Sequence, residues 1–269
     1  MNAQPRAFAL NVADTAITDL RERLARTRFP DQAPGEPWAY GTNVDYLRGL
    51  VEYWRTAFDW RAQEARLNAF AQFKAPLHDI DVHFLHVPGK GSNPCPLLLM
   101  HGWPGSVFEF IDLIPRLTDP ASFGGDPADA FTVVAPSLPG YGMSFRPGQK
   151  RFGIEEIADC LADLMTETLG YRRFAAQGGD WGGITASRMS YAHADKLIGI
   201  HVNLLAVRRD GSMLYTRGTQ VSRRTGLLVE RRDGLSVDSG HAPADAQLWS
   251  DRFACRARGV DRREVSRMV

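Results

Sequence analysis

Apolar positions change their period along this chain. Over residues 14–27, Ile17, Leu20 and Leu24 recur at intervals of three and four, with charged residues on the other face. Residues 43–58 repeat the pattern with Leu47, Leu50, Val51 and Trp54. That spacing gathers the apolar side chains on one side of a helix, so it predicts two amphipathic helices. Pro30, Pro34, Gly35 and Pro37 break the chain between them. Two or three short helices bury little alone, so the first ~75 residues are expected to be a helical segment packed on something larger. Trp38, Trp54 and Trp60 are expected to be its packing anchors.

From His78 onward the period shortens. Residues 80–87 alternate as a strand does, and Leu97-Leu98-Leu99-Met100 is a continuous apolar run suited to a buried parallel strand. Residues 131–135, 174–177 and 198–206 read as further strands. Helical spacing fills the intervals at 106–117, at 154–169 through Ile157, Leu161, Leu164 and Met165, and from near Ile184 to Ala194. Strands alternating with helices predict an α/β fold, a mostly parallel sheet covered by helices. No internal repeat is present.

Composition narrows the possibilities. A chain of 269 residues can bury a full core, and a net charge of +1 gives no support to nucleic-acid binding. Cys95, Cys160 and Cys255 have no paired spacing, which argues against a disulfide frame or a zinc knuckle. Residues 1–10 hold no apolar core of a signal peptide, and no run approaches the ~18 apolar residues of a membrane span. A cytoplasmic protein without a membrane partner is therefore expected. His78, His83 and His86 fall on one predicted strand, Asp79 and Asp81 read as strand-edge solvation, and nothing at ligand spacing signals a metal or cofactor.

The chemistry concentrates at Gln177-Gly178-Gly179-Asp180-Trp181-Gly182-Gly183, between a predicted strand and a predicted helix. Gly178-Gly179-Asp180-Trp181-Gly182 has the small-x-nucleophile-x-small pattern of a nucleophile elbow, with aspartate where a lipase carries serine. Glycines flank such a turn because a Cβ would clash as the chain reverses. The turn lifts the Asp180 carboxylate over the first amides of the helix, which favour the ionised acid. A carboxylate held there can attack an sp³ carbon and form an ester. His101-Gly102-Trp103-Pro104-Gly105-Ser106 follows the Leu97–Met100 run. In such folds this loop supplies one N–H of an oxyanion hole, and the residue after the nucleophile supplies the other. The expected donors are the amides of Trp103 and Trp181. Pro136-Ser137-Leu138-Pro139-Gly140-Tyr141-Gly142-Met143-Ser144 is expected to be a shaped structural loop. Ser106, Ser137 and Ser144 are expected as caps or turn residues.

Together, the 101–106, 136–142 and 177–182 motifs resemble the α/β-hydrolase epoxide hydrolases of the microsomal type. Residues 4–90 are similar to the helical N-terminal segment of that family, and the likeness runs to about residue 214. The resemblance implies an N-terminal segment at 1–90, a partial hydrolase core at 91–214 and an aberrant tail at 215–269. It implies Asp180 as nucleophile, Trp103 and Trp181 as oxyanion donors, and a small-molecule epoxide and water as reactants. No cofactor is implied, and the sequence is silent on oligomeric state and on which epoxide is used. The family also uses a histidine–carboxylate pair to activate water and lid tyrosines to protonate the epoxide oxygen; both lie beyond the strand expected to end near Ala206. A haloalkane dehalogenase would use the same carboxylate attack, but the long N-terminal segment speaks against it. A non-catalytic binding protein of the same fold is the alternative from another class.

Past residue 214 the likeness stops. Residues 216–269 hold 11 arginines, no lysine and two aromatics, Trp249 and Phe253, without clear periodicity. His241, near Asp238 and Asp245, is expected to be a solvated loop histidine, and His201 a core residue of its strand. Codons for Tyr215 onward can be chosen so that reading one nucleotide later gives an amphipathic, aromatic-rich string. That string includes Tyr-Gln-Trp-Ile-Gln, similar to the family's lid. The tail is therefore expected to be out-of-frame translation, and the chain to turn over little substrate and to be of low stability.

Overall fold

The computed structural model of the chain describes residues 4–204. One mixed sheet of seven strands runs in the order β1-β2-β3-β5-β4-β6-β7. Its strands are β1 (Arg6–Phe8), β2 (Gln72–Leu77), β3 (Ile80–Val87), β4 (Cys95–Met100), β5 (Phe131–Pro136), β6 (Phe174–Gly178) and β7 (Leu197–Val202). β4 pairs in parallel with β5 on one side and β6 on the other, and β6 continues in parallel to β7. β1, β2 and β3 form an antiparallel extension that joins β5 antiparallel. Strand–helix alternation predicts only the parallel half; the antiparallel half comes from the lead-in, which has no such alternation.

The continuous apolar run in β4 follows from coverage of both faces. Leu98 and Met100 join Phe84, Val134, Leu161 and Phe174 in one buried cluster. Leu97 and Leu99 join Leu67, Phe110, Ile114 and Val133 in the other. Helix α5 (Ile154–Asp163) and helix α6 (Asp180–Ala192) pack on the first face. Helix α3 (Trp60–Asn68), helix α4 (Ile114–Thr118) and the turn 107–110 cover the second.

The lead-in contains helix α1 (Asp14–Ala25) and helix α2 (Val44–Thr56), close to their predicted spans. It also holds α3, β1 and β2, which the periodicity missed. Polar links dock it. Arg61 pairs with Asp14 and, at 2.6 Å, with Glu64, whose carboxylate accepts the Val12 N–H at 2.7 Å. Asn68 exchanges two hydrogen bonds with the backbone of Leu10. Trp38 and Trp54, expected as anchors, are instead 54% and 44% exposed, since α1 and α2 bury only Val44.

Other boundaries shift for local reasons. The helix predicted at 106–117 is a 3₁₀ turn followed by α4, which restarts where Pro115 fits the first helical turn. The helix predicted at 154–169 ends at Asp163 and finishes in a π turn, Leu164–Thr168. α6 begins at Asp180 rather than near Ile184, because Gly182 and Gly183 hide its first turn from any propensity argument. β7 ends at Val202, with His201 half-buried rather than in the core. His78 and Asp79 are not strand residues. Their φ angles of 49° and 66° make them the two-residue turn between β2 and β3, a conformation favoured in hairpins. Among the described residues no helix is long and apolar enough to cross a membrane. The aberrant-tail expectation, with His241, Asp238 and Asp245, lies outside the described residues.

Candidate active site

The strand order reverses at β4, so the loops leaving the carboxyl ends of β4 and β6 sit side by side. That is where open α/β sheets form a crevice. β6 enters this crevice through Gly179 and turns at Asp180, which holds a φ of +50°. A left-handed non-glycine residue costs on the order of 1–3 kcal/mol and persists only where its surroundings fix it. Here the glycines fix it. A Cβ on Gly178 would fall 2.1 Å from the Gly182 carbonyl carbon, and one on Gly182 would fall 2.3 Å from the Met100 carbonyl oxygen. Only hydrogen at both positions lets strand, helix and β4 approach this closely.

The turn presents the Asp180 carboxylate to solvent over the start of α6. Its Oδ1 accepts the Trp103 N–H at 2.8 Å, and the Trp181 N–H also donates to the carboxylate. Those two bonds, Trp103 first, hold the carboxyl below its ordinary value. Asp180, Trp103 and Trp181, the three residues singled out from the sequence, are thus brought together. Backbone amides aimed at this carboxylate can also hold negative charge developing there.

The 136–144 loop is pinned from below. The Ser144 hydroxyl donates to the Ser137 carbonyl at 2.7 Å and accepts the His83 N–H at 2.9 Å. His83 Nε2 donates to Gln72 Oε1 at 3.0 Å, so its Nδ1 accepts from the Ser137 hydroxyl, also at 3.0 Å. This serine–histidine pair is buried away from any substrate, and desolvation pushes His83 down to about 3. It is structural, like the Ser106 cap on Phe108 N–H. Above it, Tyr141 packs edge-on to His101 and against Trp181.

A cavity of about 440 Å³ opens beside Asp180, lined by Trp103, Glu109, Gln177, Asn203 and the apolar Met100 and Phe110. Glu109, Gln177 and Asn203 were not singled out from the sequence. Glu109 sits inside a stretch that reads as one amphipathic helix, and Asn203 in a stretch that reads as strand. Gln177 did carry a signal: a polar residue ending an apolar strand directly before the elbow. Desolvation, and secondarily the charge of Asp180, raises the Glu109 carboxyl, while the Gly102 N–H opposes the shift. Among the described residues no cluster of three histidine, cysteine or acidic side chains could hold a metal ion.

Comparison with known proteins agrees along the described length. The family model "Epoxide hydrolase N terminus" matches residues 5–110, and the "alpha/beta hydrolase fold" model matches residues 96–205. The chain is 47% identical over 196 residues to a Stigmatella aurantiaca protein provisionally named an epoxide hydrolase, covering 73% of this chain and 44% of that one. It is 38% identical over 228 residues to epoxide hydrolase 1 of Oryctolagus cuniculus, covering 83% of this chain and 49% of the rabbit protein. The crystal structure of juvenile hormone epoxide hydrolase from the silkworm Bombyx mori superposes with a TM-score of 0.67 at 32% identity, over 76% of this chain and 54% of that one. The chain spans about half the length of the curated relatives it matches. Two family models, one for an epoxide hydrolase N terminus and one for the alpha/beta hydrolase fold, together run from residue 5 to residue 205, so over that length the chain has the α/β-hydrolase fold and is similar to epoxide hydrolases.

Proposed function

We propose that this chain carries the nucleophilic half of an epoxide hydrolase, with Asp180 as the attacking group and the amides of Trp103 and Trp181 as its oxyanion hole. The observation that carries the reading is the 2.8 Å bond from Trp103 N–H to Asp180 Oδ1 across the crevice. Oδ1 rests against the Trp103 amide, which leaves the other carboxylate oxygen to attack a ring carbon. The ring C–O bond breaks, its electron pair stays on the ring oxygen, and that oxygen takes up a proton. Water then adds to the carbonyl carbon of the Asp180 ester. The negative oxygen of the tetrahedral intermediate lies against the two amides, and collapse releases a diol and restores the carboxylate.

The two proton transfers set the pace. General acid or base help is worth roughly 10²–10⁴-fold in such steps. Among the described residues none lining the cavity is a histidine. We therefore expect the ester to form slowly and to accumulate instead of turning over. Incubation with styrene oxide, followed by mass spectrometry of intact protein and peptides, tests this. One substrate mass should appear on the Asp180 peptide and vanish in Asp180→Asn. Parallel incubation with 1-bromobutane separates a dehalogenase. No adduct with either compound would favour a non-catalytic protein, and rapid diol release would overturn the stalled-ester expectation.

A further inference from the structure

The Asp180 cavity has a second polar wall that ester formation does not use. Gln177 lies on the Ala175 side of β6, opposite Leu99, where the second apolar cluster gives way to the cavity. Its side chain is only 6% exposed, it lines the cavity, and its Oε1 has no hydrogen-bond partner among the described residues. A buried acceptor left this way is costly, so a native chain normally pairs it with something. Glu109 adds a carboxylate to the same cavity from the 107–110 turn. Gln177 Oε1 and the Glu109 carboxylate are both acceptors, so the group that complements them is a donor. The rest of the wall, Met100, Phe110 and Leu204, suits a short hydrocarbon stem.

We propose that Gln177 Oε1 accepts the proton of a hydroxyl carried on the carbon next to the epoxide ring, in a subsite that the Glu109 carboxylate also lines. The site would then favour a 2,3-epoxy alcohol over a hydrocarbon epoxide of the same size. The inference rests on the Asp180 reading for its kinetic arm only. Glycidol and 1,2-epoxybutane differ by hydroxyl against methyl. The ratio of their rates of Asp180 alkylation, read by mass spectrometry of the 269-residue chain, isolates the donor. That ratio should fall about five- to tenfold in Gln177→Met, the effect of one hydrogen bond. An unchanged ratio in Gln177→Met overturns the subsite while leaving the nucleophile in place.

A binding measurement on the wild-type chain covers the case in which a variant does not fold. The Gln177 side-chain amide resonances should move on titration with 1,2-propanediol, which donates, and not with tetrahydrofuran, which only accepts. Equal response to both, or to neither, means that the wall is satisfied by water alone and overturns the proposal. If neither epoxide alkylates Asp180, the nucleophile reading fails, and the diol titration still decides the subsite.

Discussion

His101 and Leu138 tie together the two loops that frame Asp180. The imidazole Nε2 accepts the Leu138 N–H at 3.1 Å, and Nδ1 lies 2.9 Å from the Gly102 carbonyl oxygen. Accepting at Nε2 places the ring proton on Nδ1, where it is donated to Gly102. The Trp103 amide follows immediately, so the direction of its N–H is set through a neutral histidine. Burial holds His101 below the ordinary histidine range, which keeps it neutral. A proton on Nε2 would face the Leu138 N–H donor to donor.

Acid should therefore loosen the fold through its buried histidines. Desolvation depresses His83, His86 and His101 from an ordinary value of 6.5, His83 to about 3. With folded values below the unfolded one, the unfolded chain binds more protons in between. The stability these groups contribute is whole above pH 6.5 and declines as pH falls, down to about pH 3 for His83. Asp180 and Asp119, both depressed, act only below their unfolded value of 3.8. Urea midpoints measured from pH 7.5 to 5 should fall steadily, and His83→Gln should flatten the slope. Equal midpoints across that range would contradict this.

Ser144→Ala should cost more than its small volume suggests. It removes the acceptor of a buried backbone N–H, at His83, and the donor to the Ser137 carbonyl. Leaving buried groups unpaired costs about 1–3 kcal/mol. Ser106→Ala removes a longer bond, 3.3 Å, to the Phe108 N–H and should cost about 0.5–1 kcal/mol. Chemical denaturation of the two variants side by side checks the order; a larger loss at Ser106 would contradict it.

What was legible in the chain follows from how local the cause is. The β4 run and the α5 periodicity are statements about which faces are covered, and a sequence carries them directly. The elbow is legible because Gly178 answers a steric demand made within five residues, by the carbonyl carbon of Gly182. β1 is invisible because its strand character comes from pairing partners 64 or more positions away, as Phe8 pairs with Gln72. The exposure of Trp54 is equally non-local, since it depends on what lies against α2 and not on the helix itself. Glu109 enters the cavity only because the expected helix breaks at Ile111–Leu113, a consequence of Pro115 that periodicity alone does not register.

Gly182→Ala should damage fold and site together. The added methyl would sit 2.3 Å from the Met100 carbonyl oxygen, a backbone atom that cannot swing aside. α6 would have to move away from β4, and overpacking of this kind typically costs about 1–3 kcal/mol. Gly199→Ala is the control, because a Cβ on Gly199, within β7, meets nothing within 4 Å. It should be neutral or stabilise by up to about 1 kcal/mol. Thermal midpoints of both variants, with Asp180 alkylation measured on the folded fraction, would show whether the elbow tolerates the shift. Wild-type stability and alkylation in Gly182→Ala would count against the close-approach account.

Asp180 itself should stay an anion across the working pH range. Backbone amides from Trp103 and Trp181 lower its carboxyl from the ordinary 3.8. The nucleophile is therefore fully ionised at any pH where the chain is studied, and the sign follows: its reactivity can drop only when pH falls below that value. The alkylation rate with styrene oxide should not decline between pH 8 and pH 5, and any acid promotion of ring opening would raise it. A carboxyl raised by burial, as Glu109 is, would instead lose reactivity on the way down. Initial adduct rates across that range, corrected for folded fraction, separate the two. A decline with a midpoint between 5 and 7 would show that the two amides do not hold Asp180 as the anion.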